Sequence, residues 1–230
     1  MRPYFRVFIK AKIARLIADL GFRMNFLSGI VGSFCFVALY IITLQLLMPK
    51  ISFPSWTIKE MWVLLGTFII LCYTVFYLFW RGMANLVDGI RTGSLDFYLL
   101  KPMDSQFFIS FGDGGGVHNL LLIIAGFFFT FWAVWNLGLS PSAFQWSFWL
   151  ITLIIAILDF YSALFLLGML NFHFGYLGEA VFQIFELQGL SRYPVEAFNK
   201  LPMVIAVIAI PLSALTTIPT KILINMPIST

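Results

Sequence analysis

Charge is what this chain has least of. Only 10% of its 230 residues are Asp, Glu, Lys or Arg, against 61% hydrophobic, and its mean hydropathy is +0.96. A water-facing shell needs roughly a quarter of its residues charged, so an ordinary cytosolic enzyme is excluded. Cysteine is almost missing too: Cys35 and Cys72 both stand in apolar runs. That leaves neither a disulfide framework nor a metal site of repeated Cys and His spacing, and both read as packing residues. The two histidines, His118 and His173, lie far apart, with no HExxH, GxSxG or paired-Cys motif near either, and each reads as an interface residue at a span end. No catalytic residue, metal or cofactor is expected, which also disfavours a membrane-embedded enzyme acting on lipids.

What the chain has in excess is large rings, 27 Phe and 7 Trp, tolerated in such number mainly where lipid is the solvent. Gaps between charged residues locate the spans, since a helix needs about 20 apolar residues to cross the hydrocarbon core. The gaps run from Arg23 to Lys50, Glu60 to Arg81 and Lys200 to Lys221. Between Asp113 and Asp159 lies an uncharged stretch of 45 residues, enough for two crossings joined at Ser140-Pro141-Ser142. The expected spans are 26–48, 61–80, 118–138, 148–170 and 201–220.

The net charge of +4 does not point to nucleic acid, because six of the 14 basic residues lie in the first 23 (Arg2, Arg6, Lys10, Lys12, Arg15, Arg23). A basic cluster beside an apolar run is the positive-inside pattern. With Arg81, Arg91 and Lys101 in the segment 81–113, and Arg192 and Lys200 before the last span, all three regions are expected on the cytoplasmic side. Loops 49–60 and 139–147 are expected outside. The first apolar run follows about 25 basic-rich residues and is longer than a signal h-region, so it reads as an anchor. Phe5, Ile9, Ile13, Leu16 and Leu20 form one stripe at helical spacing, flanked by Arg6 and Lys10 and by Lys12 and Arg15. This predicts an interfacial helix within 1–25. A second amphipathic stretch, 174–190, carries Tyr176, Leu177, Val181, Ile184, Phe185 and Leu190 among Glu179, Gln183 and Glu186. Two acids make it a poor span, so it is expected to be interfacial or packed in the bundle.

Asp159 is the one acid deep in an expected span, where an ionised carboxylate costs about 2.5–3.5 kcal/mol. Either it lines a polar translocation path, or it holds two helices with help from Tyr161 or Ser162. The run Gly112-Asp113-Gly114-Gly115-Gly116 lacks the Lys-Ser/Thr and preceding strand of a phosphate loop; it reads as a flexible lead-in to the third span.

The segment 85–104 is the most specific part of the chain. Its core, Ile90-Arg91-Thr92-Gly93-Ser94-Leu95-Asp96-Phe97-Tyr98-Leu99-Leu100-Lys101-Pro102, is a short amphipathic element bounded by glycine and ended by proline. This pattern resembles the intracellular coupling segment of the ABC-2 superfamily export permeases. Gly21-Phe22-Arg23-Met24-Asn25-Phe26-Leu27 resembles that family's approach to its first span. Tyr193-Pro194-Val195-Glu196-Ala197-Phe198, followed by Ile210-Pro211 and Ile218-Pro219, is similar to its late proline pattern.

The resemblance implies an all-α polytopic transmembrane helix bundle of five to six spans, one permease domain over 1–230, with an N-terminal interfacial helix and a short cytoplasmic coupling helix. It implies an inner-membrane half-transporter, N-terminus cytoplasmic, dimerised with itself or a sister permease on separate ABC ATPase subunits that hydrolyse ATP. The coupling residues would be Ile90, Arg91, Gly93, Leu95, Asp96, Leu99, Leu100, Lys101 and Pro102. Arg91, Asp96 and Lys101 would face the ATPase, while Leu95, Leu99 and Leu100 anchor the element. The competing reading is a non-transporting structural or assembly subunit. Full members of the family continue into a sixth helix, whereas about ten residues follow Thr220 here, fewer than half of a crossing. Five spans with an outer C-terminus are therefore expected, and a chain shortened there would leave the dimer a helix short. The alternative is that 174–190 crosses despite its acids and returns the C-terminus to the cytoplasm.

Overall fold

Apolar sequence of helical period folds here into helix after helix. The computed structural model describes residues 2–47, 56–113, 115–174, 178–198 and 202–227, and every regular element among them is helical. In order they are α1 (Arg2–Gly21), α2 (Arg23–Leu47), α3 (Ile58–Val75), a π turn (Phe76–Trp80), α4 (Arg81–Thr92), α5 (Asp96–Leu99) and α6 (Ser105–Phe111). Then come α7 (Val117–Asn136), α8 (Ala143–Phe174), α9 (Gly178–Leu187), two 3-10 turns (Gln188–Arg192 and Val195–Phe198) and α10 (Met203–Leu223).

Four stretches among the described residues are long and apolar enough to cross a membrane: Phe26–Leu46, Ile58–Thr92, Val117–Asn136 and Ala143–Phe174. They coincide with the first four expected spans, but two run longer. α3 continues through the π turn into α4, and α8 covers 32 residues, about 48 Å at 1.5 Å per residue against a hydrocarbon core of about 30 Å. The expected span 201–220 is helical as α10, with Pro211 and Pro219 inside it; Leu201 lies outside the described residues, as do Lys50, Ser55, Gly114, Tyr176, Leu177 and Lys200. α9 has ten residues, about 15 Å, too short to cross alone. It buries Val181 and Phe185 and exposes Glu179, Gln183 and Glu186.

The contacts divide into two units. The first comprises Met1–Ser33, Tyr73–Leu121 and Asp159–Glu186, the second Phe34–Cys72, Leu122–Leu158 and Leu187–Thr230. In the first, α1 presents its Tyr4, Phe8, Lys12 and Asp19 face inward. Tyr4 meets Phe107 edge-on at 5.0 Å, Phe8 meets Phe111 at 6.0 Å, and the Asp19 carboxylate accepts from the Val117 N–H at 3.0 Å. Asp19 also pairs with Arg15 at 3.0 Å. α4 and α6 approach closely at Gly82, where a Cβ would meet the carbonyls of Ile109 and, at 2.9 Å, Ser110. The Phe79 ring stacks on Tyr161, whose hydroxyl is bonded to Ser110 Oγ at 2.7 Å.

In the second unit, a helix apolar on all sides becomes the core: Val63, Leu64, Leu65, Phe68 and Leu71 of α3 are fully buried. Small residues admit α7, since a Cβ on Gly66 would meet Thr130 and one on Gly126 would meet Ile69 and Ile70. The buried Thr67 hydroxyl accepts from Trp149 Nε1 at 3.2 Å and donates to the Val63 carbonyl. α10 carries a buried polar face of Ser213, Thr216, Thr217, Thr220 and Lys221. Ser191 donates to the Leu212 carbonyl at 2.6 Å, Thr216 donates to the Ser191 carbonyl, and Val195 N–H donates to Thr217 Oγ1 at 3.2 Å. Lys221 Nζ sits 2.6 Å from Glu196, which also accepts from Trp56 Nε1 at 3.0 Å.

Trp56, Glu196 and Lys221 thus meet at the C-terminal end of α10. Nearby, the Arg192 guanidinium is held against the rings of Tyr40 and Tyr193 at 4.8 and 5.0 Å.

Candidate functional site

The segment between α4 and α6 is built by three stops in sequence. Gly93 ends α4 in the left-handed conformation, φ 73°, which glycine adopts without a Cβ penalty. The Leu95 N–H then donates back to the Gly89 carbonyl at 3.2 Å, and Thr92 Oγ1 donates to the Asp88 carbonyl at 2.8 Å. α5 is a single turn, closed by Leu100 N–H on the Asp96 carbonyl at 3.0 Å. After Pro102 the chain turns, and Asp104 caps α6 by accepting the Phe107 N–H at 2.8 Å.

Ile90 and Leu95 are half-buried, and Leu99 ends α5. Arg91, Gly93, Asp96, Lys101 and Pro102 are exposed. Leu100, expected to anchor the segment, is 79% exposed, and Phe97 beside it is 70% exposed. In a one-turn helix between Gly93 and Pro102 there is too little length to turn every apolar residue inward. The outer face thus combines two large apolar groups with three charges, of which Arg91 also meets Asp88 at 3.5 Å.

Behind this face stands a polar junction that the residue spacing did not foretell. Asp113 accepts from Arg81 Nε at 3.3 Å and from Asn85 Nδ2 at 3.2 Å, tying α4 to the glycine run before α7. The π turn breaks the regular i→i−4 ladder, and the Tyr77 carbonyl within it accepts from Gly115 N–H at 3.0 Å and from Lys12 Nζ at 3.1 Å. Lys12 Nζ also lies over the Tyr77 ring at 4.4 Å and the Phe8 ring at 5.3 Å. Burial lowers its pKa from 10.5 to about 8, partly opposed by the Asp113 charge. Gly115 has no room for a side chain: a Cβ would lie 2.6 Å from the carbonyls of Phe76 and Tyr77. The glycine run read as a flexible lead-in is in this respect a fixed junction.

Asp159 is exposed on α8, on the face of Ile155, Ser162 and Leu166, and no ion pair among the described residues includes it. Gln106 Nε2 donates to the neighbouring Tyr161 hydroxyl at 3.2 Å. His118 lies against Gly29 and Gly116, and His173 against the Phe174 ring. No group of His, Cys, Asp and Glu among the described residues is arranged to hold a metal ion.

The family model for ABC-2 family transporter proteins matches residues 33–228, taking in four candidate spans in whole or in part, the α4–α6 segment and α10. The chain belongs to the ABC-2 family transporter proteins, integral multi-pass membrane components of ABC transporters that are not themselves catalytic. No curated protein and no solved structure matches it significantly.

Proposed function

We propose that this chain is the permease subunit of an ATP-driven exporter, coupled through residues 85–104 to a separate ATPase subunit and working as a dimer with itself or a sister permease in the inner membrane. The observation that carries this reading is the outer face of the α4–α6 segment. Phe97 and Leu100 are exposed in the same short segment as the exposed Arg91, Asp96 and Lys101, a mixture of large apolar and charged groups of the kind that protein partners cover. Its attachments run back into a candidate span, through α4 and the Arg81–Asp113 pair, so force applied to the face reaches α3 and α7. In this reading Ile90, Gly93, Leu95, Leu99 and Pro102 belong to the same coupling segment, with Leu95 and Leu99 anchoring it.

In the same reading the N-terminus is cytoplasmic and α1 lies in the interface, while the Trp56, Asn136 and Glu196 ends lie outside. Asp159, exposed at the level of a span, faces the translocation path. An exposed carboxylate in lipid is costly, and a path or a second subunit gives it a polar neighbour.

Charge reversal at Arg91 and Asp96 together tests the coupling. Exposed charges contribute little to folding, so the amount of permease in the membrane should hold while co-purification of an ATPase carrying a GxxxxGK[ST] loop and transport-coupled hydrolysis both fall about tenfold or more. Unchanged binding and hydrolysis in the double variant would remove the reading.

A further inference from the structure

Before Glu60 the chain has a single acidic residue, Asp19. It is 7% exposed, and both its oxygens are engaged, one by Arg15 and one by the Val117 N–H. Arg6, Lys10 and Arg23 are exposed, and no ion pair among the described residues includes them. The inward face of α1 is fixed by Tyr4, Phe8, Lys12 and Asp19, so its other face cannot turn in. That outward face carries Phe5, Ile9, Ile13, Leu16, Ile17 and Leu20, with Phe5 and Ile17 each 66% exposed. The apolar surface continues through Phe22 and Met24 to Leu27 and Val31 of α2, which is itself a candidate span. A surface continuous with a span has lipid as its solvent, and unpaired cations beside it select the lipid.

We infer that α1 is an anionic-lipid-binding arm. Its apolar stripe enters the acyl boundary, and Arg6, Lys10 and Arg23 hold phosphate-bearing anionic headgroups. The inference rests on the proposed interfacial position of α1 and adds a requirement for lipid charge. Through Lys12 on the Tyr77 carbonyl and Asp19 on Val117, the state of this arm is felt at the π turn and at the start of α7.

The test uses the full chain with Cys35→Ser and Cys72→Ser, a nitroxide at Ile13→Cys, and vesicles of phosphatidylcholine with or without about 30 mol % phosphatidylglycerol. Relative accessibility to oxygen and to a water-soluble nickel chelate reports the depth of the probe. In the anionic vesicles the nitroxide should move into the acyl boundary, and in pure phosphatidylcholine it should be markedly more exposed to the chelate. Arg6→Gln, Lys10→Gln and Arg23→Gln should each lower the ratio of inserted to released arm about fivefold in anionic vesicles. A probe equally buried in both vesicles overturns the lipid-charge requirement while leaving the interfacial position standing. A probe in water in both overturns the interfacial position itself, and one protected only on adding the ATPase subunit assigns the face to that protein instead. The two-vesicle comparison uses the native charges, so it decides the matter even if a variant fails to fold.

Discussion

Burial disfavours the charge at both Lys12 and Glu196, but only at Glu196 do partners outweigh it. Desolvation dominates at Lys12 and brings its pKa to about 8, so the docked arm favours the neutral amine. Between about pH 8 and the ordinary value of 10.5 the released lysine holds a proton that the docked one has lost, and docking tightens as the pH rises through that window. Competitive acetylation of the full chain should give Lys12 a titration midpoint near pH 8; a midpoint at the ordinary lysine value would contradict the Tyr77 contact. At Glu196 burial raises the pKa, but hydrogen bonds from Lys221, its own backbone and Trp56, with the Lys221 charge, outweigh it and leave the group below its ordinary 4.5. Its contribution is fully present above pH 4.5 and is lost as the pH falls through the depressed value. Glu196→Gln leaves the Lys221 ammonium buried without a counter-charge and should lower stability by about 3 kcal/mol at pH 7. In thermal melts in detergent the gap between variant and parent should narrow on acidification, and equal melts at neutral pH would mean the pair contributes nothing. Replacing Glu196 and Lys221 together by Leu and Met should be milder than either single change.

At the scale of elements, close approach decides what a glycine is for. Gly82→Ala puts a methyl onto the Ile109 and Ser110 carbonyls and should destabilise by about 1–3 kcal/mol, while Gly32→Ala, with nothing within 4 Å, should be neutral or gain from helix propensity. Equal melting temperatures for the two variants would show that α4 and α6 do not touch as described. The helices themselves were legible in the sequence because apolar runs and the Phe5-to-Leu20 stripe repeat at helical spacing. The α4 stop was legible because Gly93 and Pro102 punctuate the chain. What joins the elements was not. The Arg81–Asp113 and Lys12–Tyr77 contacts span 32 and 65 residues, and a π turn in Phe76–Trp80 leaves no mark in a run of apolar rings. Leu100 stands exposed because hydrophobicity brings burial within the chain only where an element is long enough to have an inner face.

Across the whole molecule, the gaps between charges coincide with the four candidate spans among the described residues. Lys59, in the first turn of α3, donates to the carbonyl of Asn136 at the end of α7, 3.3 Å away. On the proposed topology Arg192 lies on the side of Trp56, which a bias acting through loop charge alone does not favour. In a background lacking Cys35 and Cys72, Ser142→Cys should react with an impermeant maleimide from outside intact cells, and Ser94→Cys only after lysis. Tyr193→Cys should follow Ser142→Cys; labelling that followed Ser94→Cys would contradict the side proposed for the 3-10 turns. The π turn adds one more thing at this scale. It inserts one residue beyond the α-helical repeat, and each residue turns a helix by about 100°, so everything after Trp80 stands at a phase set by that one extra residue. Deleting it would swing α4 and the bearing of Arg91 by about 100° about the helix axis. The compass setting of the outer face is thus written inside a span, at a turn that Gly115 and Lys12 hold from the side.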